Sequence, residues 1–201
     1  MKSVLITGGT VRIGKAIADR LRADAGADLV ADLSEPMGAA KLYAAALRLL
    51  GGNPPDALVN NAALYTGDAA AIRAVDLDAP KKLTTLMAGR ETGVGAVVNI
   101  LDAAADRLET PAPACYREAK RGLRDFTLSG AALFAATLRV NAVAPGPVLA
   151  PVAVREKAGE TLLDRRPTAE DVAAAVAFLL SAEATTGAVV PVDAGQHLLT
   201  A

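Results

Sequence analysis

The sequence predicts an α/β fold: a doubly wound, Rossmann-type parallel sheet of six strands with helices on both faces. Short apolar runs alternate with longer helical patterns throughout the 201 residues. The runs are continuous rather than alternating apolar and polar, which is typical of strands buried on both faces. No repeat, low-complexity segment or linker divides the sequence, so we expect a single domain over residues 1–201.

The composition excludes several classes of function. The chain is 52% hydrophobic with a net charge of −1, so neither nucleic acid nor an anionic membrane is expected as its main partner. One cysteine and one histidine argue against an internal disulfide and against a His/Cys metal site. The first strand begins close to Met1, and no apolar run approaches the ~20 residues of a membrane span. We therefore expect a cytoplasmic protein.

The first strand and helix enclose a glycine-bearing turn. An apolar strand at residues 4–6 leads into Gly8, and a helix with apolar residues at four-residue spacing begins near Gly14. Gly8 permits a tight turn and close approach of a ligand, while Gly14 lets the helix pack against the strand. Such a unit directs backbone N–H groups at an anion, usually a phosphate. Because glycine motifs alone are weak signals, an ordinary βα turn remains the alternative.

The second unit supplies an acidic residue, Asp32, at the end of a short strand predicted over residues 29–31. An acidic residue at about this distance from the glycine turn commonly accepts hydrogen bonds from an adenosine ribose. Alternatively, Asp32 or Ser34 caps the helix predicted over residues 36–50. The two roles are compatible.

The third and fourth strands end in polar or small residues. A buried strand over residues 57–59 ends in Asn60-Asn61-Ala62-Ala63, which fits a place where backbone approaches a flat ligand, or simply a polar turn. A helix is predicted over residues 70–88. The fourth strand covers residues 96–100 and is followed by Asp102.

The next helix carries Tyr116 and Lys120, whose four-residue spacing places them on one helical face. A lysine ammonium beside a phenol favours the phenolate and lowers the tyrosine pKa toward working pH. The pair would suit acid/base chemistry at an alcohol or carbonyl. A Tyr–Lys pair on a solvated helix is the commoner meaning of this spacing and remains the alternative.

The last part of the chain completes the sheet. A fifth strand over residues 139–144 ends in Pro145-Gly146-Pro147. Residues 148–168 lack periodicity, which predicts a substrate-binding loop at a strand's carboxyl end. Thr168 is the predicted N-cap of the following helix, and residues 188–192 form the final strand.

Four motifs, in order and at approximate spacing, resemble those of the short-chain dehydrogenase/reductase family. They are the turn ending at Gly14, Asn60-Asn61-Ala62, Tyr116 to Lys120, and Arg139-Val140-Asn141 with Pro145-Gly146. Within the family, the chain is most similar to pteridine reductases and dihydromonapterin reductases. Arg12 stands where most members have a glycine, Asp102 stands where most have the catalytic serine, and residues 192–198 resemble the ending of that branch.

The resemblance implies an NAD(P)(H)-dependent oxidoreductase that transfers a hydride to a small carbonyl, imine or pteridine-like substrate. It implies that Tyr116 exchanges the proton, that Lys120 lowers the Tyr116 pKa and binds the nicotinamide ribose, and that Asp102 orients the substrate or relays a proton. Asp76 replaces the asparagine that holds a water in the family's proton relay. The implied cofactor-binding residues are Gly8, Arg12, Ile13, Gly14, Asp32, Asn60, Ala62, Tyr116, Lys120, Pro145 and Gly146.

The chain is about one βα unit shorter than typical members, and the shortfall falls largely between Gly26 and Pro55. Asp32 aligns either with the end of the family's second strand, which favours NAD, or with its third strand, whose aspartate contacts adenine. Arg12 favours NADPH, so we favour NADP(H) over NAD(H). A homodimer or homotetramer is also implied. The alternative function is a catalytically weak relative that binds a nucleotide or a partner without turnover.

Overall fold

The computed structural model describes residues 3–25, 28–30, 38–65, 67–91, 93–105, 112–148 and 161–199. Its described strands form one parallel sheet in the order β2-β1-β3-β4-β5-β6. The strands are β1 (Ser3–Thr7), β2 (Asp28–Val30), β3 (Ala57–Asn60), β4 (Gly95–Ile100), β5 (Leu138–Pro145) and β6 (Val189–Val192). The α-helices are α1 (Arg12–Ala25), α2 (Ala39–Leu49), α3 (Ala69–Arg73), α4 (Ala79–Ala88), α5 (Ala114–Leu133) and α6 (Ala169–Ser181). The predicted Rossmann-like α/β fold is confirmed.

The edge strand β2 pairs directly with β1, with Ser3 opposite Asp28. In the doubly wound order 3-2-1-4-5-6, this place belongs to the second strand. Among the described residues no strand lies outside β2. The position of β2 therefore favours the alignment in which Asp32 follows the second strand. Asp32 itself lies outside the described residues, so its ribose role stays a prediction.

The sheet is covered on both faces because successive side chains of each strand point to opposite sides. In β1, Val4 and Ile6 pack with residues of α1 and α6, whereas Leu5 packs with residues of α2 and α4. All three side chains are buried. This two-sided burial accounts for the continuous apolar runs in the sequence.

The helix predicted over residues 70–88 is interrupted by a π-helical turn, Ala74–Asp78, that joins α3 to α4. Pro80 lies in the first turn of α4, where a missing backbone N–H costs little. A π-helical turn is rare and is often found at functional sites. Here the turn contains the fully buried Asp76.

The start of α6 matches its prediction. Thr168 Oγ1 accepts a hydrogen bond from Asp171 N at 3.2 Å, and Asp171 Oδ2 accepts one from Thr168 N at 2.8 Å. These reciprocal bonds form a capping box and satisfy backbone donors that the helix leaves free. They fix where α6 begins, next to the end of the segment predicted as a substrate-binding loop.

Gly14 is the glycine whose replacement we expect to damage the fold most clearly. A Cβ there would overlap the Gly8 carbonyl oxygen and lie 2.5 Å from Asn61 Nδ2, whereas a Cβ at Gly9 would meet Ile6 atoms at 3.4 Å. Gly14→Ala should therefore lower the free energy of unfolding by about 3 kcal/mol. Urea unfolding measures this, with Gly9→Ala as the matched control. Similar losses in both variants would contradict the expectation.

Candidate active site

Several predicted site residues that the structure describes lie at the carboxyl edge of the sheet. The turn after β1 contains Gly8, the residues after β4 include Asp102, and β5 ends at Pro145 before Gly146. In a parallel sheet all these strand ends lie on the same side, where open α/β folds bind their ligands. The topology thus assembles groups that are far apart in sequence.

Asn61 joins the glycine turn to the segment after β3. Its Nδ2 donates to the backbone carbonyls of Thr7 and Gly8, each at 3.0 Å. In return, Thr7 Oγ1 accepts from the backbone N–H groups of Asn61 and Ala62, also at 3.0 Å. This clamp leaves little freedom to the turn. Ala62, a predicted cofactor residue, is placed by the clamp.

The glycine turn and the start of α1 form a cradle suited to an anion. Gly8 has φ +67°, a conformation that favours glycine, and Gly14 lies against the Gly8 carbonyl, where no side chain fits. The first turn of α1 contains no acidic residue to oppose an anion. Arg12 is exposed at the beginning of this helix, and Ile13 packs against the sheet. Such residues fit a dinucleotide pyrophosphate.

Tyr116, Asp102 and Lys120 come together near the carboxyl end of β4. Tyr116 donates its hydroxyl hydrogen to Asp102 Oδ2 at 2.9 Å. Lys120 Nζ lies 5.6 Å from the centre of the Tyr116 ring and donates to the Ile100 carbonyl at 3.1 Å. Tyr116 and Lys120 are both buried, so the alternative of a solvated Tyr–Lys pair is wrong.

The environment raises the Tyr116 pKa. Burial has the largest effect, followed by the charge of Asp102 and its hydrogen bond, with smaller effects from Asp76 and Tyr65, so the pKa lies well above its ordinary value. The spacing of Tyr116 and Lys120 predicts a lowered Tyr116 pKa, and the shift has the opposite direction. Burial and the carboxylates of Asp102 and Asp76 dominate it.

Asp76 is buried next to Lys120. Its side chain is 0% exposed, and the Lys120 side chain is 3% exposed. Asp76 Oδ1 accepts from Leu64 N at 2.7 Å, and Oδ2 lies 3.7 Å from Lys120 Nζ. Burial raises the pKa of Asp76, while Lys120 and the Leu64 N–H oppose that rise. The asparagine position of the predicted relay therefore holds a buried carboxylate paired with the lysine.

Asn60 has a different environment from the one we expected. Its side chain is buried, and Nδ2 donates to Asn99 Oδ1 at 2.8 Å. Asn99 in turn donates to Thr127 Oγ1 at 2.9 Å. The Asn60 side chain is therefore engaged within the core, because it follows the same strand face as Leu58. The role of Asn60 in lining a cofactor channel stays a prediction.

Pro145 and Gly146 join two neighbouring turns at this edge. The Pro145 carbonyl accepts from Ala103 N at 2.9 Å, and Gly146 N donates to the Val192 carbonyl at 3.0 Å. A Cβ on Gly146 would lie 2.6 Å from Asp193 Cβ, so this position requires glycine. Both residues lie where the resemblance expects them to flank the nicotinamide, a role that stays a prediction.

Two residues at this edge are not among the predicted site residues. Asn61 belongs to the Asn60-Asn61-Ala62 motif, and in the structure it forms the clamp described above. Tyr65 was not singled out, yet its ring lies 5.1 Å from that of Tyr116, edge to face. No local pattern distinguishes Asn61 from Asn60, but the rarity of aromatic residues, 3% of the chain, could have drawn attention to Tyr65.

Only the end of the predicted substrate-binding loop can be located. Residues 149–160 lie outside the described residues. The N–H groups of Leu162 and Leu163 both donate to the Ala194 carbonyl at 3.0 Å. The described end of the loop is thus attached to the turn after β6, at the same edge as the other site residues.

None of the described helices combines the length and apolar composition that crossing a membrane requires. In the same described part of the chain, no three His, Cys, Asp or Glu side chains cluster as a metal site would require.

Sequence comparisons find relatives over most of the chain. Residues 6–197 match the family model described as enoyl-(acyl carrier protein) reductase. The chain is 33% identical over 196 residues to galactitol 2-dehydrogenase of Rhizobium johnstonii, an alignment covering 85% of this chain and 76% of that protein. It is 33% identical over 172 residues to protein FixR of Bradyrhizobium diazoefficiens, covering 74% of this chain and 62% of FixR. The chain therefore spans less than two thirds of the length of FixR.

Structural comparisons give the same relationship. FolM alternative dihydrofolate reductase 1 from Brucella canis, complexed with NADP, is 29% identical with a TM-score of 0.83, covering 99% of this chain and 95% of that one. The homologue from Brucella suis, also in complex with NADP, has the same identity and TM-score, with coverages of 99% and 96%. A short-chain dehydrogenase/reductase from Serratia marcescens is 26% identical with a TM-score of 0.81, covering 98% and 97%.

Replacement of Lys120 should destabilise the fold, because the buried Asp76 carboxylate then has no counter-charge. We expect Lys120→Met to lower the free energy of unfolding by about 3 kcal/mol at neutral pH, because Asp76 loses its counter-charge. A carboxyl group whose pKa is raised on folding binds its proton more tightly in the folded state, so the loss should shrink as the pH falls. Urea unfolding across pH measures this.

The control is Lys120→Met combined with Asp76→Asn. Since the double variant has no carboxylate to protonate at this position, its loss relative to the native protein should vary little with pH. A loss in Lys120→Met that is constant with pH would show that Asp76 is not the group responsible.

Proposed function

Because the chain belongs to the short-chain dehydrogenase/reductase family, we propose that it reduces a small carbonyl, imine or pteridine-like substrate with NADPH. One observation carries the proposal: Tyr116 donates to Asp102 at 2.9 Å, with Lys120 one helical turn further along α5. A tyrosine hydroxyl at the carboxyl edge of the sheet is placed to give a proton to a bound substrate.

In this mechanism the nicotinamide cofactor supplies a hydride to the substrate carbon when it is bound. Tyr116, kept protonated by its surroundings, donates its hydroxyl proton to the carbonyl oxygen or imine nitrogen. Asp102 accepts a hydrogen bond from the same hydroxyl and so orients it. Lys120, whose Nζ lies near the Tyr116 ring, stabilises the phenolate left after the transfer.

Two observations support a flat, pteridine-like substrate. The Tyr65 ring stands edge to face against Tyr116, which adds an aromatic wall beside the proton donor. Asp102 provides a carboxylate that can accept hydrogen bonds from N–H groups of a heterocycle. Two solved relatives are named as alternative dihydrofolate reductases. These features support our proposal that the chain acts like the pteridine-reducing branch of the family.

NADP(H) is the favoured cofactor because of Arg12. This residue has φ +53° and is exposed at the first position of α1. A guanidinium there can bind a phosphate through two N–H groups, which a glycine could not do. The two FolM structures contain NADP, in keeping with this preference.

A second candidate function is nucleotide binding without turnover. It is favoured by the buried charge of Asp76 and by the raised Tyr116 pKa, both of which depart from a lysine-activated tyrosine. Titration with NADPH and NADH, followed by turnover assays, discriminates the two candidates. The homodimer or homotetramer stays a prediction.

Tyr116→Phe tests the assigned proton donor. We expect turnover to fall at least about 100-fold, since the variant has no hydroxyl proton to give. NADPH affinity should change little, because the aromatic ring and Lys120 remain. The assay is NADPH consumption with a panel of carbonyl and pterin substrates, together with a fluorescence titration for binding.

The matched control is Tyr43→Phe, which removes a hydroxyl from a tyrosine buried between α2 and the sheet. It should keep its activity. Full turnover in Tyr116→Phe would reject the mechanism, and absence of nicotinamide binding by the native protein would reject the proposed function.

Arg12→Gly tests cofactor choice. Glycine accepts the positive φ of this position, so the turn should keep its conformation. The Kd for NADPH should rise about 10-fold, and the Kd for NADH should rise less, because a charge-assisted phosphate contact is lost. Arg22→Ala, on the same helix and exposed, serves as the control. Equal effects on both cofactors would show that Arg12 does not select the phosphate.

A further inference from the structure

Asp76 contributes a charge that its hydrogen bonding does not require. One carboxylate oxygen accepts the Leu64 N–H at 2.7 Å, a contact that the carbonyl of an asparagine would also make. The other oxygen is buried and has no hydrogen-bond partner. A buried ionised carboxylate is unfavourable unless a nearby cation offsets its desolvation. The environment of the second oxygen should therefore explain why the charge is present.

That second oxygen faces Lys120. The Oδ2–Nζ distance is 3.7 Å, and both side chains are almost wholly excluded from water. The same ammonium lies 5.6 Å from the centre of the Tyr116 ring. One buried cation thus lies between the Asp76 carboxylate and a phenol that can ionise. The ammonium of Lys120 favours a Tyr116 phenolate, and the negative charge of Asp76 opposes that effect.

We propose that Asp76 is a positioning residue that neutralises Lys120 and thereby keeps Tyr116 in its protonated, proton-donating form. The proposal deepens the proposed reductase function and rests on the role assigned there to Tyr116. Asp76 does not touch the substrate in this account. It acts on Tyr116 through Lys120 and through its own charge.

Among the described residues, the charged and titratable groups that face Tyr116 come from four parts of the fold. Asp102 follows β4, Tyr65 follows β3, Asp76 belongs to the π-helical turn and Lys120 belongs to α5. Asp102, whose charge and hydrogen bond raise the Tyr116 pKa more than Asp76 does, is partly exposed, whereas Asp76 is fully buried. Every group except Lys120 disfavours the phenolate. The raised pKa of Tyr116 has the direction that this arrangement requires.

The decisive experiment is a titration of the phenolate by ultraviolet absorbance in the cofactor-free full chain. Subtracting the curve of Tyr116→Phe isolates Tyr116 from the other two tyrosines, Tyr43 and Tyr65. In Asp76→Asn, the Tyr116 titration should move to lower pH by about one to two units, as expected for removal of a nearby buried charge. An unchanged Tyr116 titration in Asp76→Asn would overturn the proposal.

The matched control is Asp78→Asn. Asp78 lies in the same π-helical turn, but its side chain is 51% exposed and pairs with Arg73. Its replacement should leave the Tyr116 titration in place. A shift of the same size in both variants would overturn the proposal, because it would show a general response to disturbing the turn.

Two further readouts keep the test independent of other failures. In native protein, Tyr116 must titrate above the ordinary value of a free tyrosine, and titration below it overturns the proposal even if Asp76→Asn does not fold. In the reduction assay, the upper pH limit of kcat/KM should fall in Asp76→Asn by the same shift. If the titration shifts but Tyr116→Phe keeps full turnover, the proposed function fails while the electrostatic role of Asp76 stands.

Discussion

The candidate site depends on one close approach between backbones, that of Gly14 in α1 to the Gly8 carbonyl. Asn61 locks this approach by donating to the carbonyls of Thr7 and Gly8. The segment after β3 is thereby attached to the turn after β1. Within that segment, Leu64 N donates to Asp76, which faces Lys120. A continuous series of contacts thus leads from the phosphate cradle to the acid/base group.

A second set of buried polar contacts positions α5 on the sheet. Asn60 in β3 donates to Asn99 in β4, and Asn99 donates to Thr127 in α5. Since buried polar groups are costly without partners, these bonds favour one placement of the helix over sliding alternatives. Tyr116 and Lys120 lie on the same helix, so this network also determines where they stand at the sheet edge. The apolar core alone would specify that placement less sharply.

Local patterns in the sequence predicted most of the fold. Continuous apolar runs indicated buried parallel strands, and the Thr168 capping box marked the start of α6. The shared face of Tyr116 and Lys120 followed from helical spacing. The π-helical turn had no such signal, because the sequence around Pro80 reads as a continuous helix. Which of two adjacent asparagines enters the core depends on strand register, which only the assembled sheet sets.

The direction of the Tyr116 pKa shift shows why site chemistry was harder to predict than site position. The spacing of Tyr116 and Lys120 is local, and it correctly indicated that the two groups lie together. Their electrostatics depend on Asp76 and Asp102, which arrive from other elements and carry the opposite charge. Burial of Asp76 and Lys120 strengthens their electrostatic interactions, because water is excluded from them. A prediction from Tyr116 and Lys120 alone could therefore indicate that the two residues are neighbours, but not the direction of the Tyr116 pKa shift.

A protonated Tyr116 is the form that reduction consumes, and a phenolate is the form that the reverse reaction requires. Asp76 cannot change the ratio of forward to reverse catalytic efficiency at a given pH, because the equilibrium of the reaction fixes that ratio. It can change only the pH range over which the proton donor is available. A carboxylate at position 76 therefore extends proton donation by Tyr116 to higher pH. The same buried charge lowers the folding stability. The Lys120 ammonium reduces that loss and, in the same position, remains available to the phenolate formed in each turnover.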